Sequence, residues 1–433
     1  MTRSQLLRLG LFQMAAGGLS VLFLGVLNRV MRVELGLDLL VVGLLVGGGH
    51  YLGALVAIPF GHFSDIHSIG GYRRTFYIAL GVTLAGLILV LSPWVVRWLA
   101  LAPTPLNVSA AFIFFLLEGV ATFVAGTAYL SLIASRTTSK ERGPATALVW
   151  TLMMVGIIIT GIGAATFMHT YTFDRMVSLF AIGFAAAMLL AVIALWRQEP
   201  RNRTESGPPS QSLRTALALL LHSQQSRRFA IFLMVGMFSY FMQDVILEPF
   251  GGEVFLLPPS ETTRFNAYMG VGLVSGMLVG GMRLIPRMGK RGVTGFGCWI
   301  MIGAFAGLAA SGFLQSARML AAIITMLGLG AGFFTVGSVS LMMDMTSSQH
   351  TGLFVGTWTL VQALAKGPAS LLSGGLQGAF LAVGALPGQA YGAVFTLEAT
   401  GLLLAILLLR RVGVRRFQHE VDYSWKLAAE NLN

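Results

Sequence analysis

The sequence predicts an all-α integral membrane protein of twelve transmembrane helices in two six-helix lobes, and three observations carry that prediction. Of 433 residues, 55% are hydrophobic and only 11% charged, with a mean hydropathy of +0.77. A soluble domain carries about 25% charged residues, so most of this surface faces lipid. Twelve apolar stretches each approach the roughly 20 residues that cross a bilayer as a helix. With a cytoplasmic N-terminus, 22 of the 29 Lys and Arg fall on inside segments and six outside, the bias that cytoplasmic loops show.

The first six stretches lie near 10–33, 39–61, 76–96, 109–134, 144–167 and 175–196, each bounded by charged or turn residues. The first is too long for a signal-peptide core and ends in Leu27-Asn28-Arg29, so it is expected to stay as a span. A polar Pro/Ser/Arg-rich stretch follows, beginning Glu199-Pro200-Arg201, with a short amphipathic segment at Leu213–Leu221. The second six lie near 229–250, 266–286, 293–314, 318–343, 353–375 and 389–410. The predicted organisation is a lobe over 1–198, a cytoplasmic linker over 199–227, a second lobe over 228–412 and a tail over 413–433, with both ends cytoplasmic. In such a protein the formal charge of +12 belongs to loops beside membrane lipid and does not indicate nucleic acid. The single cysteine, Cys298, excludes an internal disulfide and multi-thiolate metal sites.

The halves repeat weakly. Thr138-Ser139 and Trp150-Thr151-Leu152 recur 208 residues later as Thr346-Ser347 and Trp358-Thr359-Leu360. At an offset of 215, Asn28-Arg29 faces Gln243-Asp244 on the first helix of each half. Together with the 6+6 span pattern this predicts parallel repeats around a cavity at the lobe interface.

Two motifs resemble a known family. The second loop reads Gly61-His62-Phe63-Ser64-Asp65 and then Gly70-Gly71-Tyr72-Arg73-Arg74. It resembles the cytoplasmic signature of the major facilitator superfamily, in which Gly61 permits close helix approach, Asp65 sits at a helix N-terminus, and Arg73 and Arg74 anchor the turn in the anionic leaflet. The spacing from Asp65 to the arginines is longer than in the usual signature. The seventh stretch reads Met242-Gln243-Asp244-Val245-Ile246-Leu247-Glu248-Pro249-Phe250-Gly251-Gly252-Glu253. With Leu27-Asn28-Arg29-Val30-Met31-Arg32-Val33-Glu34, it resembles the PucC/LhaA family, the bacteriochlorophyll-delivery branch of that superfamily. The resemblance implies the major facilitator fold, a bacterial inner photosynthetic membrane and (bacterio)chlorophyll as bound substrate. The partners it implies are light-harvesting antenna apoproteins, a photosynthetic core complex or a pigment synthase.

Ionisable side chains inside spans cost at least ~2.5–3.5 kcal/mol each to insert, so they should face a cavity or a partner. Asp244 and Glu248 lie four apart on one helix face, with Arg29 and Arg32 at similar depth on the first helix. An ionic contact closing the outer side is expected among Asn28, Arg29, Arg32, Gln243, Asp244 and Glu248, either as a working gate or as a fixed clamp. Lys366 and Glu398 each lie about nine residues, ~13 Å, from the outer end of their stretches, which predicts a buried ion pair. Arg136 and Asp344, related by the offset of 208, form an inner-end pair or lie solvated at the interface. Glu118 is alone in the fourth stretch, a hydrogen-bonded core acid or a cavity residue that carries protons. His50, in Gly47-Gly48-Gly49-His50-Tyr51, is a candidate ligand for a pigment's magnesium or a hydrogen-bond partner for a neighbouring helix. Repeats such as Gly43/Gly47 and Gly272/Gly276/Gly280 predict close helix crossings.

No nucleophile–base set, zinc spacing or phosphate loop is present in the sequence, so no catalytic and no metal residues are assigned. Three readings remain: a pigment carrier or assembly factor, a proton-coupled transporter of a small molecule, and a non-transporting scaffold for antenna polypeptides or a pigment synthase.

Overall fold

A computed structural model describes residues 3–55, 69, 71–72, 74–137, 139–199, 224–314, 316–317, 319–344 and 351–413. The helices are α1 (Ser4–Glu34), α2 (Leu39–Leu55), α3 (Thr75–Leu101), α4 (Pro105–Arg136), α5 (Ser139–Phe167) and α6 (Phe173–Leu195). After the linker come α7 (Arg227–Val254), α8 (Arg264–Val279, continued by Gly280–Leu284), α9 (Ile285–Leu314), α10 (Leu320–Asp344), α11 (Thr351–Ala382) and α12 (Pro387–Leu409). Nine stretches of the described residues are long and apolar enough to cross a membrane, one of them running from Pro259 through both α8 and α9. The chain is a multi-pass membrane protein. Between α8 and α9 it turns at Gly289, whose φ of 73° suits glycine and few other residues.

Helix ends follow local chemistry. Asp38 caps α2 by accepting from the Leu40 N–H at 2.8 Å, and Thr104 and Thr172 cap α4 and α6 in the same way. The Glu199 carboxylate, just after α6, accepts from the Thr75 N–H at 2.8 Å and the Arg74 N–H at 3.1 Å, closing the first turn of α3. Three segments of the bundle wind as π-helix: Val21–Leu27 and Val30–Glu34 in α1, and Leu44–His50 in α2. A fourth, Gly280–Leu284, ends α8.

The two halves pack by one plan. In the first, α1 packs on α5 and α6, α3 on α4 and α6, and α2 on α4; in the second, α7 packs on α11 and α12, α9 on α10 and α12, and α8 on α10. The expected repeat is thus visible in which helices touch. Among the described residues the lobes meet where α1 faces α7, α2 faces α11, and α5 faces α8. All three seams lie in the half of the bundle where α1 ends, called here the far end. Glycines set the closest approach: a β-carbon on Gly43 would stand 2.7 Å from the Ser370 carbonyl oxygen of α11. The core of the second lobe surrounds Cys298, which is fully buried and unoxidised.

Candidate interlobe site

The α1–α7 seam begins with a proline. Pro249 lacks an N–H, so the Val245 carbonyl one turn earlier loses its helical partner. The fully buried Asn28 amide fills the gap, donating to the Val245 oxygen at 2.9 Å and the Asp244 oxygen at 3.2 Å. The π-winding on either side of Asn28 alters the facing of the residues that follow relative to a regular α-helix.

Of the expected contacts of Arg29 and Arg32 with Asp244 and Glu248, an electrostatic interaction of Arg29 with Glu248 is present, while the hydrogen bonds and close ion pairs of both arginines go to other partners. Arg29 holds Glu34 at 2.5 Å and donates to the Leu257 carbonyl at 3.0 Å, beyond the end of α7. Arg32 forms an ion pair with Glu253 at 2.7 Å and donates to the Leu37 carbonyl at 3.2 Å. The Tyr391 hydroxyl of α12 completes this link, donating to Glu253 at 2.7 Å. Glu253 is nine residues, roughly 13 Å, further along α7 than Asp244, and the long Arg32 side chain extends to it. Nearby, burial first and then the Glu34 carboxylate raise the pKa of Tyr171 in the α5–α6 loop, while Arg97 lowers it.

Glu248 turns instead toward α8, accepting from the Asn266 amide, with its second oxygen unpartnered among the described residues. It lies over Gly25 of α1, where a β-carbon would collide with the carboxylate. The residue types at 25, 248 and 266 therefore lock together three helices from both lobes.

Deeper in the bundle, Gln243 donates to the Asp244 carboxylate at 2.5 Å, and Asp244 interacts with the Lys366 ammonium of α11. The Lys366 nitrogen stands 4.0 Å from the Phe241 ring centre and 5.5 Å from that of Tyr51 on α2. The expected Lys366–Glu398 ion pair is absent from the described residues. Glu398 is fully buried with both oxygens unpartnered, and its electrostatic neighbour is Asp244. The matched depth failed because α11 continues to Ala382: Lys366 lies 16 residues and Glu398 11 residues from their far ends, roughly 24 and 17 Å.

In the first lobe Glu118 is not alone. Its carboxylate pairs with His50 Nδ1 across α4 and α2, and its other oxygen accepts from the Thr122 hydroxyl at 2.8 Å. Gly119 lets α4 lie directly on the His50 carbonyl. The imidazole sits among aromatic rings, with centroid distances of 5.1 Å to Phe23, 4.8 Å to Tyr51 and 5.5 Å to Phe123. His50 Nε2 has no hydrogen-bond partner among the described residues. A neutral imidazole held through one nitrogen presents the other as a lone-pair ligand.

Gly61, Asp65 and Arg73 lie outside the described residues, as does the Asp344 side chain, so the expected Arg136–Asp344 pair is not addressed. Residues missed by the sequence reading are Glu34, Glu253, Asn266 and Tyr391 at the far end, and Tyr51, Phe23 and Phe123 around His50. Glu34 and Glu253 stood within the quoted motifs and carried charge, which was a usable signal. The aromatic residues had none, being three of many in a chain with 29 Phe.

Comparison with known proteins adds a lineage. The family model described as PUCC protein matches residues 26–417. The chain is 33% identical over 424 residues to the "Bacteriochlorophyll synthase 44.5 kDa chain" of Rhodobacter capsulatus, covering 95% of this chain and 96% of that one. It is 30% identical over 387 residues to "Protein PucC" of Rhodovulum sulfidophilum, covering 86% and 84% respectively. Among solved structures, a bacterial homologue of the human lysosomal transporter Spinster, inward-facing and unoccupied, superposes with a TM-score of 0.70 at 16% identity. That likeness covers 96% of this chain and 97% of the other, and it establishes the two-lobe major facilitator fold.

Proposed function

The chain belongs to the PUCC protein family, and from that premise we propose that it is a membrane carrier that binds a (bacterio)chlorophyll and delivers it to light-harvesting antenna apoproteins. The observation that carries the reading is the His50–Glu118 pair. Glu118 fixes the orientation of the ring, the arrangement by which proteins prepare a histidine as a metal ligand. His50 would then supply a ligand to the pigment's magnesium. Phe23, Tyr51 and Phe123 form an apolar, polarisable wall suited to a flat macrocycle. These rings now pack directly on the imidazole, so the macrocycle enters only as Phe23 or Phe123 turns aside. Phe23 of α1, His50 of α2 and Phe123 of α4 all belong to the first lobe, so uncovering the ligand is a rearrangement within that lobe.

The name of the Rhodobacter capsulatus relative associates that protein with bacteriochlorophyll, which supports a pigment as cargo. The receiving partner in this reading is an antenna apoprotein or photosynthetic core complex, with a pigment synthase as the supplier. The test is an absorption spectrum of gently solubilised protein from pigment-making membranes. Wild type is expected to retain pigment, His50→Ala to lose it, and Glu118→Gln to retain a reduced fraction. Equal pigment in wild type and His50→Ala would overturn the assignment of the ligand. Absence of pigment from a well-folded wild type would overturn the carrier reading itself.

A further inference from the structure

We infer that Asp244, Glu398 and Lys366, with Tyr51 of the first lobe beside them, form a proton-exchange site at the lobe interface that adjoins the His50 pair and works without a pigment. The four side chains come from α7, α12, α11 and α2, so the site belongs to the second lobe with one member from the first. All lie well inside the spans, ten or more residues from the far ends of their helices.

The charges at the site do not balance. One ammonium faces two carboxyl groups, since Asp244 interacts with both Lys366 and Glu398. The arginines of the neighbouring seam are committed elsewhere, Arg29 to Glu34 and Leu257, Arg32 to Glu253 and Leu37. Full ionisation would leave an uncompensated negative charge at hydrocarbon depth, which costs several kcal/mol. Two carboxyl groups sharing a low-dielectric site relieve that cost by retaining a proton.

One buried carboxyl group marks where the proton sits: Glu398 is 0% exposed with neither oxygen hydrogen-bonded among the described residues, while the Tyr51 hydroxyl is directed to Asp244. Asp244 and Lys366 are only half-buried despite their depth. Both interact with Tyr51 of α2 across the lobe boundary, so in the proposed step water reaching their exposed surface delivers and removes the proton. The step is a simple transfer: Asp244 carboxylate accepts a proton from hydronium, releasing water, and returns it by the reverse route. The ammonium within the site disfavours an alkali cation in the same place. The other groups facing Asp244 are Tyr240 and Gln243 on its own helix and Asn28 of α1 on its carbonyl; Glu118 of α4 acts on Tyr51 from behind.

Protonation also has a mechanical consequence. Lys366 reaches Tyr51 of the opposite lobe at 5.5 Å, and a cation near an aromatic face is attracted to it. Neutralising Asp244 removes the counter-ion that holds Lys366 at this seam.

Infrared difference spectroscopy of the full chain in lipid nanodiscs, titrated with acid and base, reads the proton directly. Wild type is expected to show a protonated-carboxyl band at neutral pH, and Glu398→Gln or Asp244→Asn to abolish or displace it. Lys366→Met should raise the midpoint of the titration, because the ammonium that opposes protonation is gone, whereas Lys366→Arg should hold it near wild type. A wild-type spectrum without such a band overturns the proposal, and this measurement needs no variant to fold. A band unaltered in both Glu398→Gln and Asp244→Asn, each eluting as monodisperse protein, overturns it as well. Bleaching of the band by sodium at fixed pH overturns it in favour of an alkali-cation site. Pigment content does not enter any of these readouts, so failure here and failure of the carrier reading are distinguishable.

Discussion

At the level of single residues, the chain places a donor where Pro249 leaves its backbone with a vacancy. Asn28 serves the carbonyl that Pro249 frees. Asn28→Ala is expected to destabilise by about 1–3 kcal/mol, the penalty for a buried acceptor without its donor. In a Pro249→Ala background the same substitution should cost less, since alanine restores the helical N–H; thermal melts of the four proteins of the cycle check this. Gly25→Ala should disturb the α1–α7–α8 junction by pressing a methyl group on Glu248, and Glu248→Ala should relieve it in the same assay. The charged positions were legible from sequence because an ionisable side chain in an apolar run has few structural excuses. Their partners were not. Pairing depends on depth, rotation and side-chain reach, and Arg32 extends to Glu253 rather than Asp244.

Helices were readable in number of apolar runs, order and approximate extent, since length and composition dictate them. Their ends and winding were not. The seven extra residues of α11 after 375 moved Lys366 away from the depth of Glu398, and no composition change announced them. The π-helical turns of α1 and α2 carry no signature in an apolar sequence, yet they decide which way Arg29 and His50 face. Deleting Gly48 from the π-wound Leu44–His50 segment should turn His50 by about 100°. Loss of the His50–Glu118 contact, read from the imidazole's NMR titration, is the expected outcome. Capping is a milder case. Glu199→Gln weakens the hydrogen bonds to the first turn of α3 and should cost about 0.3–1 kcal/mol, measurable as a lowered melting temperature.

For the molecule as a whole, the two lobes share one packing plan although their sequences share few identities. That plan was foreshadowed by the recurrence of Trp150-Thr151-Leu152 as Trp358-Thr359-Leu360, too sparse to prove a repeat without the helix contacts. The lobes are held together at the far end by Arg32–Glu253–Tyr391 and by glycine-mediated contacts of α2 with α11. Glu253→Gln should therefore favour separation there by about 1–3 kcal/mol, which is roughly a tenfold change in population per 1.4 kcal/mol. Spin labels on α1 and α7 would report it as a longer interlobe distance, and an unchanged distribution would assign the closure to the glycine seams alone. A last consequence concerns the solitary thiol. Cys298 is sealed inside the second half of the chain, and the first half has no sulfhydryl at all. A fluorogenic maleimide added during heating would stay dark until that interior opens, giving a natural reporter of melting confined to one half of the bundle.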